Sequence, residues 1–307
     1  NYYDNASQLY KNYLFNSGNL DVPFKDIKTV YVDEVQDRIY VGAHAGGMMV
    51  LHRKSGYIEY YNRHNSNLPS NNIYSIISDG YGGLWVASLE YLLHFDIDKR
   101  NFTIVDVDED GHKLQQYNRL LFCDSKKRIW AGGEMGISVF NQVGTSLLPN
   151  TDFQIASVLK QAFVNCFYET SSGYLWIGTR NGLFALKESD KQFLQYTTEN
   201  GLPSNVIYGI LEDAYGRLWI STNQGLSCLN PESGKFRNFT IMDGLQGNQF
   251  NAGAYCRKDN GYMLFGGVNG ITSFRPETLI DNPYAPKPVI NKLFVHNKEV
   301  LPDDETG

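Results

Sequence analysis

The sequence has few cysteines, little charge and no long apolar run, and each absence excludes a class of protein. Its four cysteines show no Cys-x-x-Cys spacing over 307 residues, so the sequence indicates neither a zinc site nor a disulfide framework. The net charge is −6 and the one basic cluster is Lys126-Lys127-Arg128. That cluster is too short to follow a phosphate backbone, so we expect no nucleic-acid partner. No apolar run approaches the ~20 residues that cross a bilayer.

The common catalytic motifs are missing as well. The sequence contains no Gly-x-Ser-x-Gly elbow, no His-Glu-x-x-His and no P-loop. Its six histidines have no metal-ligand spacing between them. We therefore expect no catalytic residue, no metal and no cofactor in this region.

The residues that are abundant indicate a β protein. The chain has 29 Gly, 21 Tyr and 17 Phe, and aromatic residues make up 14% of it. Aromatic residues favour strands, and glycine favours the tight turns between them. The four cysteines lie among apolar strand residues, which predicts that each is a small buried side chain.

One sequence pattern repeats with a period near 45 residues. A five-residue motif recurs that begins with Arg, Gly or Tyr, continues with an apolar residue and ends with an apolar residue followed by a small one. Its central residue is aromatic or large and apolar, and all four tryptophans of the chain occupy this central position. Steps of 45, 45, 46, 43 and 45 separate the six copies, which are Tyr40, Trp85, Trp130, Trp176, Trp219 and Leu264. A regular period of this length is typical of repeat architectures.

The content of each repeat predicts a β-propeller blade. An apolar run, a polar turn, the Trp-bearing run, a short loop and two further runs make four short strands in about 45 residues. We expect the Trp ring to fill the space between neighbouring blades. Asp79, Asp124 and Asp213 stand six residues before a Trp, where an aspartate bonding to its own hairpin turn is expected, and Thr170 replaces it in the fourth repeat.

The two ends of the chain do not match whole repeats. Residues 3–13 align with the third and fourth strands of a repeat, and the sixth repeat has no convincing fourth strand. We therefore predict an all-β propeller of six repeats and part of a seventh, with seven blades, over residues 1–278. Residues 279–288 form a Pro-rich linker, and residues 289–307 begin another β domain. The chain starts at Asn1 rather than Met, so we expect it to be a piece of a longer protein.

Two of the repeats carry a more specific motif. Gly201-Leu202-Pro203-Ser204-Asn205 leads through Trp219 to Gly225, and Leu68-Pro69-Ser70-Asn71 leads to Trp85. These segments resemble the two-component regulator propeller repeat, and the resemblance covers residues 1–278. It implies the periplasmic sensor region of a hybrid two-component histidine kinase, in an inner-membrane protein that responds to glycans. It also implies a tyrosine-rich immunoglobulin-like domain after the linker, a preceding propeller, and a homodimeric parent receptor with a cytoplasmic kinase and a DNA-binding regulator.

The loops between second and third strands, with the segments before the first strands, form the expected binding face of a propeller. Their amide, charged and aromatic side chains suit sugar hydroxyls, and an Arg suits a uronate or sulfate. Asn residues also serve simply as turn formers, so the loop set is a stronger hypothesis than any member. The candidate ligand-binding residues are His44, Glu90, Arg119, Glu134, Arg180, Asn181, Asn223, Gln224 and Asn269.

Three functions are compatible with these patterns. The first is a sensor domain that binds an oligosaccharide and relays the event through the following sandwich domain. The second is a scaffold or dimerisation propeller whose ligand binds elsewhere in the receptor. The third is a propeller lyase or hydrolase, for which His44 with Glu90 or Glu134 is the one assembly the sequence offers.

Overall fold

Each predicted repeat folds into its own antiparallel sheet, because its apolar runs pair with their neighbours across short turns. The computed structural model describes residues 2–4, 9–11, 26–88, 90–105, 118–150, 159, 161–187, 192–279, 292–296 and 298–300. No α-helix occurs among these residues, and short 3-10 turns such as Thr198–Asn200 and Ile241–Asp243 interrupt the loops. In the same residues we found no helix long and apolar enough to span a membrane.

Six sheets, which we call blades 1 to 6, follow one another along the chain. Blade 1 contains β3 (Ile27–Asp33), β4 (Arg38–Ala43), β5 (Gly47–His52) and β6 (Ile58–Tyr61). Blade 2 contains β7 (Ile73–Ser78), β8 (Leu84–Ser88), β9 (Leu92–Asp96) and β10 (Asn101–Ile104). Blade 3 contains β11 (Asn118–Cys123), β12 (Arg128–Gly133), β13 (Gly136–Val143) and β14 (Ser146–Pro149).

The other three blades continue the same order of strands. Blade 4 contains β15 (Val164–Glu169), β16 (Leu175–Thr179), β17 (Gly182–Lys187) and β18 (Gln192–Tyr196). Blade 5 contains β19 (Ile207–Glu212), β20 (Leu218–Thr222), β21 (Gly225–Asn230) and β22 (Lys235–Phe239). Blade 6 has three strands among the described residues, β23 (Phe250–Arg257), β24 (Met263–Gly267) and β25 (Gly270–Phe274). The predicted lack of a fourth strand stays a prediction, because residues 280–291 lie outside the described residues.

The first strand of each blade contacts the first strand of the next, from β3 through β7, β11, β15 and β19 to β23. The blades are therefore arranged side by side around an axis, and the predicted all-β propeller of four-stranded blades is confirmed. Six blades lie in the described part of the chain. The seven-bladed ring stays a prediction.

The ends of the chain hold two hairpins. In the first, β1 (Tyr2–Asp4) pairs with β2 (Leu9–Lys11). In the second, β26 (Leu293–Val295) pairs with β27 (Lys298–Val300). Residues 280–291, which hold most of the predicted linker, lie outside the described residues, and the domain boundaries and the sandwich domain stay predictions.

The repeated aromatic position packs between blades, as predicted. Trp85 clusters with Leu121 and Phe140 of blade 3, and Trp219 clusters with Phe250 and Phe265 of blade 6. Large rings at this position bury apolar surface between two sheets that share no hydrogen-bonded strand. Each Å² of apolar surface buried stabilises the fold by about 25 cal/mol. Tyr40, Trp130 and Trp176 are likewise buried in clusters that reach the next blade, whereas Leu264 is half-buried.

The aspartates of the repeat are turn residues, which confirms the structural reading of the sequence. Asp213 Oδ1 accepts from the backbone N–H groups of Tyr215 and Arg217, both at 2.9 Å. Asp124 Oδ1 accepts from the corresponding groups of Lys126 and Arg128. These bonds close the turn between the first and second strands of the blade.

The prediction for the cysteines is correct for only two of them. Cys166 and Cys228 are buried, and burial raises the pKa of the Cys166 thiol to about 12. Cys123 is partly exposed. Cys256 is exposed because it lies on β23, a strand whose side chains are largely uncovered. All four are free thiols.

Candidate functional site

The expected binding loops do come together at one end of the strands. Because neighbouring strands are antiparallel, every loop between a second and a third strand leaves a blade at the same end as the segment before its first strand. Backbone hydrogen bonds join these two kinds of segment across neighbouring blades. Gly47 N–H donates to the Asn71 carbonyl at 2.8 Å, and Gly182 N–H donates to the Asn205 carbonyl at 2.8 Å. We call this end of the propeller the loop face.

Two arginines and two aromatic rings form a continuous row on the loop face. The Arg119 guanidinium carbon lies 5.0 Å from the centre of the Tyr74 ring and 5.8 Å from the centre of the Phe163 ring. The Arg180 guanidinium carbon lies 3.6 Å from the centre of the same Phe163 ring. These four side chains, which we call the Arg–aromatic row, connect blades 2, 3 and 4. Stacking of guanidinium groups on rings holds their planes in fixed orientations.

The two arginines differ in the charge that they can offer to a ligand. Arg119 forms an ion pair with Glu134, the acidic residue of the β12–β13 loop. Its Nε atom is buried and has no hydrogen-bond partner among the described residues. Arg180 is exposed and forms no ion pair within the described part of the chain. Arg180 is therefore the residue whose positive charge is available at the surface of the row.

His44 extends the row toward blade 1. Its ring lies 6.4 Å from the ring of Tyr74, and its Nδ1 atom lies 3.9 Å from Asp26 Oδ2. The side chain is half exposed. The carboxylate beside His44 is thus that of Asp26, while Glu134 is engaged by Arg119 and Glu90 is exposed in the β8–β9 loop. The structure does not assemble His44 with either glutamate as an acid–base pair.

The remaining candidates lie at the same end but serve mainly as turn residues. Asn181 and Gln224 occupy equivalent turns, in which their N–H groups donate to Thr179 Oγ1 and Thr222 Oγ1. The N–H of Asn269 donates to Gln246 Oε1 at 2.8 Å. Asn223 differs, because its Oδ1 atom is buried and has no hydrogen-bond partner among the described residues.

Tyr74 and Phe163 are functional candidates that do not belong to the residues predicted from the loops. Both lie at the beginning of a first strand, Tyr74 within β7 and Phe163 directly before β15. Each is an aromatic residue in the segment that faces the loops of neighbouring blades. That position in the repeat is the feature of the sequence from which the two residues could have been predicted. Their contact with two arginines depends on the packing of three blades and could not be read from local sequence.

The described residues hold no group of three or more His, Cys, Asp or Glu side chains placed to bind a metal ion. Polar contacts of the loop face therefore come from guanidinium, carboxylate, amide and hydroxyl groups, with aromatic faces beside them. This set can bind hydroxyl groups, and at Arg180 it can bind an anionic group.

Comparison with known proteins agrees with this architecture. The model of the family described as two component regulator propeller matches residues 67–90, 159–181 and 201–224, which belong to the second, fourth and fifth repeats. A histidine kinase P4 from Formosa agariphila is 25% identical over 216 residues, which is 68% of this chain and 16% of that relative. The chain thus spans a small part of the curated relative.

Two solved structures share the fold. The extracellular domain of a putative hybrid two component system from B. thetaiotaomicron matches with a TM-score of 0.63 and 19% identity, over 91% of this chain and 44% of that one. A streptogramin B lyase matches with a TM-score of 0.57 and 14% identity, over 85% of this chain and 86% of that one. The repeat motifs, the blades that they form and the family match agree, and this chain is a propeller that carries two-component regulator propeller repeats.

Proposed function

We propose that this chain is a propeller of the extracytoplasmic sensor region of a hybrid two-component histidine kinase, and that its loop face binds an oligosaccharide. The family match and the relative named as a histidine kinase support the receptor assignment. The Arg–aromatic row carries the ligand assignment. A periplasmic location in an inner-membrane protein belongs to the same proposal.

The chemistry of the row suits an acidic sugar. Aromatic faces such as that of Tyr74 cover the C–H side of a sugar ring, while amide and carboxylate groups bind its hydroxyls. The exposed guanidinium of Arg180 can bind a carboxylate or sulfate through two parallel hydrogen bonds. Because Phe163 holds that guanidinium at 3.6 Å, little side-chain entropy is lost when the anion binds.

Signalling requires that the ligand binds one arrangement of the receptor better than another. The preceding propeller, the following sandwich domain and a second copy of the receptor are the partners through which the arrangement of the parent would change. Binding on the loop face links blades 1 to 4, since the row extends from His44 to Arg180. A ligand there would favour one relative position of these blades.

The first prediction concerns Arg180. We expect Arg180→Ala to weaken the binding of an acidic oligosaccharide by roughly 10- to 100-fold, the range for a lost hydrogen bond to a charged group. Calorimetric titration with size-defined acidic and neutral oligosaccharides measures the change. Lys235→Ala is the matched control, since it removes an exposed positive charge at the opposite end of a blade.

Three results would contradict the proposal. Heat of binding from the complete extracytoplasmic region but none from this chain would place the ligand elsewhere and favour the scaffold function. Turnover of any oligosaccharide in the panel would favour a lyase or hydrolase. Equal affinities of wild type and Arg180→Ala would exclude the Arg–aromatic row as the binding site.

A further inference from the structure

The ion pair between Arg119 and Glu134 follows from the way the first two strands of blade 3 pair. Asn118 of β11 pairs with Gly133 of β12, and the ladder resumes at Leu120. Arg119 is therefore an extra residue outside the ladder, a β-bulge, and a bulge redirects one side chain. Glu134 directly follows Gly133, the last residue of β12, so it lies beside the bulge.

The turn that carries Glu134 is as short as a hairpin turn can be. β12 and β13 pair as far as Gly133 and Gly136, which leaves two residues between the strands. So short a turn fixes the backbone of Glu134 next to Arg119. The two side chains are 35% and 38% exposed, so both charged groups reach the surface that a ligand of the loop face would contact.

The positive charge of the Arg–aromatic row is uneven as a result. Arg119 and Glu134 form a pair without net charge in the middle of the row. Arg180, at the blade 4 end, forms no ion pair within the described part of the chain. The free positive charge of the row therefore lies at one end.

Other charged groups of the loop face do not change this distribution. At the blade 1 end, Asp26 forms an ion pair with Lys28 at 2.8 Å, and His44 lies beside the same carboxylate. Glu90 is exposed in the β8–β9 loop of blade 2, and no described cation pairs with it. These groups add no free cation on the side of the row away from Arg180.

The two arginines are close enough to act on neighbouring residues of one oligosaccharide. Their guanidinium carbons lie 5.8 Å and 3.6 Å from the centre of the Phe163 ring, so they are less than about 10 Å apart. This separation is about the Debye length at 0.1 M salt, so charges at the two positions are not fully screened from each other. A ligand group beside Arg119 therefore also interacts with the carboxylate of Glu134.

We propose that Glu134 makes the loop face select a saccharide in which one acidic residue stands next to a neutral one, and disfavour two adjacent acidic residues. This inference rests on the proposed function of the loop face. The acidic residue binds Arg180, and the neutral residue covers the Arg119–Glu134 pair beside Tyr74. Its hydroxyls accept from Arg119 and donate to Glu134.

Saccharides of other charge fit the row less well. Because Glu134 offsets the charge of Arg119, a second anionic group at this position gains little net attraction and loses its hydration. A saccharide without any acidic residue makes no charged hydrogen bond to Arg180. A single acidic residue beside a neutral one is the arrangement that uses both parts of the row.

Calorimetric titration of this chain with three disaccharides, which carry no, one or two acidic residues, tests the proposal. We expect the wild type to bind the singly acidic disaccharide most tightly. Glu134→Gln keeps the shape of the side chain and removes its charge. In this variant we expect the affinity for the doubly acidic disaccharide to rise roughly 3- to 10-fold relative to the singly acidic one, the effect of one nearby unit charge at a protein surface.

Glu232→Gln is the matched control. Glu232 is exposed in the turn between β21 and β22, at the end of the strands opposite the loop face. The substitution changes the net charge by the same amount, so we expect no change in the preference among the three disaccharides. Circular dichroism checks that both variants are folded. An unchanged preference in folded Glu134→Gln, or equal changes in the two variants, would overturn the role of Glu134, as would tightest binding of the doubly acidic disaccharide by the wild type.

Arg180→Ala separates this inference from the proposed function. If Arg180→Ala weakens binding of the singly acidic disaccharide while Glu134→Gln leaves the preference unchanged, the loop face binds acidic sugars and only the role of Glu134 is wrong. If the wild type binds none of the three disaccharides, the proposed function and this inference are overturned together.

Discussion

At the scale of single residues, one tryptophan position has two energetic roles in this propeller. The ring fills the space between blades in every case, but only some indole N–H groups add a hydrogen bond. Trp219 donates to a buried Asp213 oxygen that also accepts from Arg217 Nε at 2.7 Å. Trp176 has an equally buried ring, and the described part of the chain offers its N–H no acceptor. The ring stabilises both sites, and the hydrogen bond stabilises only one.

This difference gives a prediction for stability. Trp219→Phe and Trp176→Phe remove the same volume from equivalent positions, but only Trp219→Phe breaks a hydrogen bond to a carboxylate. We expect Trp219→Phe to lower the free energy of unfolding by about 1–3 kcal/mol more than Trp176→Phe does. Urea unfolding followed by circular dichroism measures both. Equal losses would mean that the Trp176 N–H has an acceptor within the folded protein.

At the scale of the strand and turn, glycines set how closely neighbouring strands approach. Gly225 begins β21 with φ = 110°, and a Cβ atom there would lie 2.3 Å from the Phe239 carbonyl oxygen. Its N–H donates to the Asn248 carbonyl at 2.6 Å, which ties blade 5 to the segment before blade 6. Gly234, in the turn between β21 and β22, also has a positive φ of 66° but nothing within 4 Å of the Cβ position.

The two glycines therefore form a matched pair. We expect Gly234→Ala to cost about 1 kcal/mol of stability, the penalty for left-handed backbone in a residue with a side chain. Gly225→Ala carries the same penalty and adds a clash with backbone, so we expect a loss at least twice as large. Thermal unfolding of both variants checks the order, and a smaller loss for Gly225→Ala would contradict the close approach.

At the scale of the whole molecule, the blades differ in how much of each sheet is covered. Along β3, Val30 and Val32 alternate with residues whose side chains face blade 2. The two valines themselves are 56% and 45% exposed. Ile271 on β25 of blade 6 is 62% exposed. Blades 2, 3, 4 and 5 instead pack against a neighbour on each side through the buried clusters of the repeat position.

We expect this arrangement to set the order of local opening. In a repeat architecture, the free energy of unfolding is close to the sum of the stabilities of the single repeats and of the interfaces between neighbours. A blade that packs against one neighbour therefore has one stabilising interface fewer than a blade between two neighbours. Amide hydrogen exchange followed by mass spectrometry should therefore show slower exchange in β7 to β22 than in β3 to β6 and β23 to β25. Uniform protection across the six blades would show that the propeller opens only as one unit.

Much of this architecture follows from local sequence. The period of 45 residues predicts the blades, because alternation of apolar and turn residues acts within each repeat, and the Trp position predicts the packing between sheets. Asp213 at its turn could be predicted for the same reason, since it bonds to backbone within four residues. The exposure of Cys256 could not be predicted in this way, because it depends on which other segments cover β23.

The sequence by itself thus determined the fold class, the order of strands and the end of the blades at which the loops meet. Only the tertiary structure decided which side chains touch across blades. Arg119 and Arg180 are 61 positions apart and share one aromatic ring because blades 3 and 4 pack side by side. Thr170 is visible in the sequence as an exception to the repeat, but the burial of the Trp176 N–H without a partner among the described residues arises only where two blades pack, since hydrogen bonding depends on distances that no local pattern encodes.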